Sequence, residues 1–251
     1  SAKGGGYGGY GYGRFRSKSS KKTSVSKGDT IVEASKIAKN LVTYSSPKSA
    51  IAETYRSLRT SLQFSGVDKQ VKSVIITSGN PGEGKSTTVA NLAIATAQMG
   101  MKTLIVDADL RKPVQHSLFG FKKEPGLIDA LGNAHLQNDL LKKTEVDNLW
   151  LLSCGTIPPN PSELLGSKAM KNLQQNLLEE FDHIFYDTPP VIAVTDAVVL
   201  STIVDSLALI IKFGSTAAQS VNHAKNLLNQ VNTKVAGVIL NFVDIQSRYG
   251  S

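Results

Sequence analysis

The run Gly79-Asn80-Pro81-Gly82-Glu83-Gly84-Lys85-Ser86-Thr87 constrains this chain more than any other stretch. It follows the apolar Val74-Ile75-Ile76 and precedes an amphipathic segment carrying Val89, Leu92, Ala93 and Thr96. Gly79, Gly84, Lys85 and Ser86 satisfy G-x-x-x-x-G-K-[ST], the spacing of a phosphate-binding loop between a strand and a helix. Such a loop must bring backbone N–H groups up to phosphate oxygens, and a Cβ at the glycines would block that approach. Lys85 is then placed to reach the β- and γ-phosphates, and the Ser86 hydroxyl to take a position on Mg²⁺. The following helix turns its positive end toward the same anion. A chain with this loop binds a nucleoside triphosphate.

The rest of the chain supplies a matching frame. Short apolar runs at Val74–Ser78, Thr103–Val106, Leu149–Ser153, Ile184–Tyr186, Ser206–Lys212 and Val235–Leu240 read as strands buried on both faces. Helical patterns at 85–99, 113–119, 126–131, 162–180, 195–203 and 216–231 separate them. The alternation predicts an α/β fold: three α/β/α layers around a mostly parallel sheet, the architecture of P-loop NTPases. Ligands of such sheets sit at the carboxyl ends of the strands. An earlier helix carries Ile51, Tyr55, Leu58 and Leu62 at helical spacing, which predicts one buried face. Glu53, Arg56 and Arg59 form a second, charged stripe, by itself readable as a solvated face.

Two acidic motifs fall at strand ends. Thr103-Leu104-Ile105-Val106 runs into Asp107-Ala108-Asp109-Leu110-Arg111, and Ile184-Phe185-Tyr186 runs into Asp187-Thr188-Pro189-Pro190. Either aspartate alone could be a turn residue. Together, beside a phosphate loop, they point to a metal and phosphates, with Asp187 holding Mg²⁺ through water or through Ser86.

Charge and cysteine content narrow the classes further. The net charge of +8 resides almost wholly in residues 1–40, which hold nine Lys/Arg against two Asp/Glu. The remainder is near neutral, which argues against a nucleic-acid surface spread over the domain. A single cysteine, Cys154, allows no internal disulfide, and four scattered histidines show no ligand spacing. The apolar stretch 191–213 is broken by Asp196 and Asp205, so it reads as two elements and not a membrane span. No signal peptide is visible, and a reducing cytoplasm fits.

The phosphate loop, Leu104-Ile105-Val106-Asp107-Ala108-Asp109-Leu110-Arg111 and Asp187-Thr188-Pro189-Pro190 together resemble the bacterial tyrosine kinases of capsule and exopolysaccharide synthesis. Glu53-Thr54-Tyr55-Arg56-Ser57-Leu58-Arg59 and the segment from Gly155 to Leu165 agree with them. The resemblance implies an ATP-dependent protein-tyrosine kinase that phosphorylates itself in trans and regulates polysaccharide synthesis and export. It implies that Gly82, Glu83, Gly84, Lys85, Ser86 and Thr87 hold MgATP, with Arg111 near the bound charge and Asn241 against adenine. Asp107 becomes the base or metal-shell residue facing the incoming tyrosine, with Asp109 beside it. Ser86, Asp107 and Asp187 are the implied metal residues, and Lys85, Asp107, Asp109 and Asp187 the catalytic ones. Glu53, Arg56 and Arg59 are expected to pack against a neighbouring subunit and build a ring. The implied partners are a membrane-spanning polysaccharide co-polymerase or adaptor as activator and a cognate tyrosine phosphatase, which puts the kinase at the inner face of the plasma membrane. The alternative is a nucleotide-dependent assembly switch like the chromosome-partitioning and division-site ATPases. Their signature lysine is absent here, where Gly79 and Asn80 stand.

The expected domain division is 1–44, a basic Gly/Tyr/Ser-rich tail or fused activator segment, and 45–251, the kinase domain. Residues 1–13 contain no aliphatic side chain larger than alanine, which predicts disorder. Their basic followers read either as a solvated linker or as a segment drawn to an anionic membrane. The family's acceptor tyrosines normally lie at the C-terminus. Here Tyr7, Tyr10 and Tyr12 stand at the front and Tyr249 alone near the end, so the acceptor set is these four. A random coil of some 35 residues has a root-mean-square reach of about 30–35 Å, enough to span to a neighbouring subunit.

Overall fold

The computed structural model describes residues 37–66, 70–132 and 139–244. The proposed acceptors Tyr7, Tyr10, Tyr12 and Tyr249 lie outside the described residues. The elements are, in order, α1 (Val42–Ser45), α2 (Ala50–Gln63), β1 (Ser73–Ser78), α3 (Lys85–Ala97), β2 (Thr103–Asp107), α4 (Gln115–Leu118), α5 (Leu127–Gly132), β3 (Lys142–Lys143), β4 (Leu149–Leu152), α6 (Pro161–Leu165), α7 (Lys168–Glu180), β5 (His183–Asp187), α8 (Asp196–Leu200), β6 (Ser206–Lys212), α9 (Ala218–Asn229) and β7 (Val235–Asn241).

The strands form one sheet in the order β3-β4-β2-β5-β1-β6-β7, parallel except for β3 against β4. Residues β1, β2 and β5 are buried throughout, as strands sandwiched between helices must be. Alternate residues of each strand serve opposite layers. Ile75, Leu104, Val106, Ile184 and Leu209 meet Leu127, Leu177, Leu200 and Leu228 on one face. Val74, Ile76, Ile105, Phe185 and Ile210 meet Val89, Leu92, Ala93 and Ile94 of α3 on the other. This is the expected three-layer architecture, and it leaves the ends of β1, β2 and β5 side by side at one edge of the core.

Several sequence expectations need correction. The helix expected over 162–180 is two, broken at Gly166 and Ser167. The Ser167 hydroxyl accepts from Met170 N at 3.1 Å and starts α7 afresh. At Gly166 a side chain would press on Val199, so the break also lets α8 approach. In α2 the expected face holds at Tyr55, Leu58 and Leu62 but not at Ile51, which is exposed while Ala52 is buried. Finally, β7 is an edge strand with Val235, Val238 and Leu240 exposed, where burial on both faces was expected.

Candidate functional site

The phosphate loop leaves β1 and is held in shape by its own side chains. Ser78 Oγ donates to Asn80 O at 2.7 Å, and Asn80 N donates to the Glu83 carboxylate at 3.0 Å. Glu83, almost fully buried, also accepts a hydrogen bond from the Thr216 hydroxyl, which ties the loop to the segment before α9. Gly84 caps α3 at φ 90°, a left-handed conformation, and a Cβ there would overlap the Asn241 amide. Lys85 opens α3 and is largely buried.

Beside the loop stand the two strand-end aspartates. Asp107 and Asp187 are register partners on β2 and β5, both fully buried. Asp187 hydrogen-bonds with the Ser86 hydroxyl, which joins the strand end to the first turn of α3. Sequence reasoning missed the residue that bridges these groups. Gln115 donates from its backbone N to Asp107 Oδ2 at 3.0 Å, and from Nε2 to Asp187 Oδ2 at 2.8 Å and to Ser86 O at 3.0 Å. Its partners lie eight and 29 residues before it and 72 residues after it, so no local pattern announces it.

Burial raises the Asp107 carboxyl well above the usual range, and the Asp187 charge adds to this. Burial likewise pushes Asp187 up to about 6, against the hydrogen bonds of Ser86 and Gln115 and the charge of Lys85. Asp107 Oδ1, Asp187 Oδ1 and Gln115 Oε1 are buried without a hydrogen-bond partner. Orphaned acceptors on two aspartates and on the Gln115 that bridges them suit an electron-poor occupant, so these residues fit a hydrated divalent cation. Among the described residues no three His, Cys, Asp or Glu side chains converge as a complete ligand set. Mg²⁺ keeps water and takes one or two carboxylates together with substrate phosphates, and Asp107 and Asp187 are such a pair.

The other sequence-selected residues are placed as follows. Asp109 Oδ1 accepts from Lys112 N at 2.9 Å and Arg111 N at 3.3 Å, closing the turn after β2. Arg111 has its Nε and Nη2 both 3.0 Å from the Asp196 carboxylate. Asp196 is fully buried and also accepts from Ser162 Oγ at 2.6 Å, so a guanidinium fork answers its charge. Asn241 Nδ2 donates to Glu83 O at 3.0 Å, which holds the loop backbone from β7. In α2, Arg56 pairs with Glu53 and donates to Pro47 O at 2.6 Å. Arg59 turns inward and donates to Ala95 O at 2.8 Å, near the end of α3.

A loop-and-aspartate site on a parallel sheet belongs to many ATPases, so relatives decide what it serves. The family model described as ParA, NUBPL iron-transfer P-loop NTPase, matches residues 69–249. The tyrosine-protein kinase YwqD of Bacillus subtilis is 42% identical over 207 residues, covering 82% of this chain and 87% of that protein. The chain belongs to the bacterial tyrosine kinases. Solved structures of the family superpose on this kinase. The chimerical protein CapA2B2 does so with TM-score 0.78 and 41% identity, over 82% of this chain and 91% of that one. The kinase domain of the Escherichia coli tyrosine kinase ETK gives TM-score 0.79 and 32% identity, over 86% and 85%. The MinD cell division protein of Aquifex aeolicus, at 22% identity and TM-score 0.57 over 70% and 72%, shares the fold. The assembly-switch alternative rests on that distant relationship alone. As a P-loop NTPase of the tyrosine-kinase family, the chain binds nucleotide. Among the described residues, no helix is long and apolar enough to cross a membrane.

Proposed function

We propose that this kinase transfers the γ-phosphoryl group of ATP to tyrosines of a neighbouring copy, with Mg²⁺ held by Ser86, Asp107 and Asp187. The observation that carries the reading is the pairing of Asp107 with Asp187 across two strand ends, joined through Ser86 to the phosphate loop. The backbone of Gly82–Thr87 wraps the phosphates, and Lys85 balances their charge. When bound, the cation screens the phosphate oxygens and orders them.

The chemistry left to the chain is proton transfer and alignment. The phenolic oxygen attacks the γ-phosphorus, the bond from phosphorus to the β–γ bridging oxygen breaks, and ADP leaves with that electron pair. A free phenol has a pKa near 10, so the proton must depart as transfer proceeds. Asp107 takes it, its buried carboxylate standing at the end of β2 beside Asp187 and the phosphate loop. Asp109 fixes the turn that carries Asp107, and Asn241 fixes the loop on the side where the base would lie.

The acceptors are Tyr7, Tyr10, Tyr12 and Tyr249. The three described tyrosines are all engaged: Tyr44 donates to Glu145 at 3.2 Å, Tyr55 bonds Thr88, and Tyr186 donates to Gln174 inside the core. The tail or fused activator segment expected over 1–44 is assigned to the residues before Ile37, because Ile37 and Leu41 pack into the α3 layer and Thr43 bonds Asn91, which makes them part of the kinase domain. Ring assembly through the stripe of Glu53, Arg56 and Arg59, the last also bracing α2 against α3, activation by a membrane-spanning polysaccharide co-polymerase or adaptor, and reversal by a tyrosine phosphatase complete the proposal. Its output is control of capsular or exopolysaccharide synthesis at the inner face of the plasma membrane.

Mixing separates the alternatives. Lys85→Met chains serve as acceptors for active chains whose Tyr7, Tyr10 and Tyr12 are phenylalanine, and mass spectrometry reads the products. Phosphate on Tyr7, Tyr10 or Tyr12 of the inactive chain supports transfer in trans to the front tail. Phosphate confined to Tyr249 moves the acceptor to the other end, and an unlabelled inactive chain rules out transfer between copies.

A further inference from the structure

Gln115 has more invested in this site than a packing residue needs. It stands at the start of the four-residue α4, fully buried, in contact with the ends of two strands and the first turn of α3. Its amide orientation is fixed by chemistry, because both neighbours of Nε2 are acceptors: a carboxylate oxygen and a backbone carbonyl. Oε1 is therefore on the opposite edge of the amide, buried and without a donor, as are Asp107 Oδ1 and Asp187 Oδ1. A buried amide that satisfies its donors and leaves its acceptor orphaned costs stability in the free protein. The cost is recovered if a ligand brings a donor.

We propose that Gln115 is a positioning residue of the phosphate site, whose amide locks Asp187 to the first turn of α3 and whose Oε1 accepts from water carried by the nucleotide's divalent cation. The backbone N–H of the same residue holds Asp107, so one residue sets the spacing of both carboxylates. This rests on the MgATP reading above. It extends it by a neutral residue that neither the loop motif nor the acidic motifs contain. Outer contacts of this kind commonly change metal affinity by about 10- to 100-fold.

The test reads binding apart from turnover. Affinity for a fluorescent ATP analogue is measured in excess Mg²⁺ and in EDTA, for the wild type, Gln115→Met and Asp187→Asn, with circular dichroism as the check on folding. Gln115→Met is expected to lose about tenfold or more of the Mg²⁺-dependent gain, read within each variant as the ratio of its affinities in Mg²⁺ and in EDTA. Asp187→Asn is expected to lose that gain as well. If Asp187→Asn loses it and Gln115→Met keeps it, Gln115 is packing alone and the proposal fails while the cation site stands. If both keep it, the cation site itself is wrong and the proposal falls with it. Should Gln115→Met not fold, Gln115→Asn gives the same reading: it stays polar but is one methylene too short to span both acceptors. A wild-type Mg²⁺ response in Gln115→Asn then overturns the proposal.

Discussion

Asp107 and Asp187 face each other across adjacent parallel strands, each fully buried and each with one carboxylate oxygen lacking a donor. Such a pair opposes folding when both are charged. For Asp187 the folded value, about 6, lies above the unfolded one, so protonation favours the native state. The stability it contributes is fully present below about pH 4 and lost as pH rises through about 6. In metal-free buffer, Asp187→Asn should therefore be more stable than wild type at pH 7.5, by about 2–3 kcal/mol. Denaturant unfolding between pH 4.5 and 8 should show a shallower pH slope in the variant. Equal slopes would place the strain elsewhere.

The two arginines of α2 should separate by experiment. Arg59 donates to the α3 carbonyl of Ala95 and belongs to the subunit's own packing. Arg59→Ala should destabilise the subunit by about 1.5–3 kcal/mol, the usual range for a hydrogen bond from a charged group. Glu53→Ala with Arg56→Ala should cost about 1 kcal/mol, because the pair is local and the remaining loss is the Arg56 bond to Pro47 O near the helix start. Sedimentation should then show loss of assembly without loss of fold. An unchanged oligomer would return Glu53 and Arg56 to an ordinary helix face.

What could be read from the sequence followed from the distance between interacting residues. Strands buried on both faces and the loop from Gly79 to Thr87 announce themselves locally, so the layers and the position of Lys85, Ser86, Asp107 and Asp187 at one sheet edge were legible. Gln115 and Asp196 were not, because their partners lie up to 72 and 85 residues away. On α2 the expected face failed at Ile51 alone, where an outward isoleucine and an inward Arg59 reverse the usual preference. The break at Gly166-Ser167 did carry a local signal, a glycine followed by a capping serine. The two-residue β3, a pair of lysines, carried none.

Arg111 and Asp196 make a further case of long-range dependence. Removing the guanidinium leaves a buried carboxylate with only the Ser162 hydroxyl. Arg111→Ala should cost about 1–3 kcal/mol, between exposed and buried pairs since the arginine is partly exposed. Arg111→Lys should recover only part, because an ammonium cannot make the two-pronged contact. Thermal unfolding of both variants checks this. If Arg111→Ala instead unfolds like wild type but binds ATP more weakly, the arginine serves the nucleotide after all.

The most direct test of the central claim follows the γ-phosphate. The chain is incubated with γ-labelled ATP and Mg²⁺, and label is partitioned between acid-stable phosphoamino acids and free phosphate. The wild type should yield phosphotyrosine. Lys85→Met should yield none while keeping its fold. Asp107→Asn should lose most transfer, on the order of 100-fold or more for a lost proton acceptor. Label appearing only as free phosphate, with no phosphotyrosine, would contradict the account and leave an ATPase on the same fold.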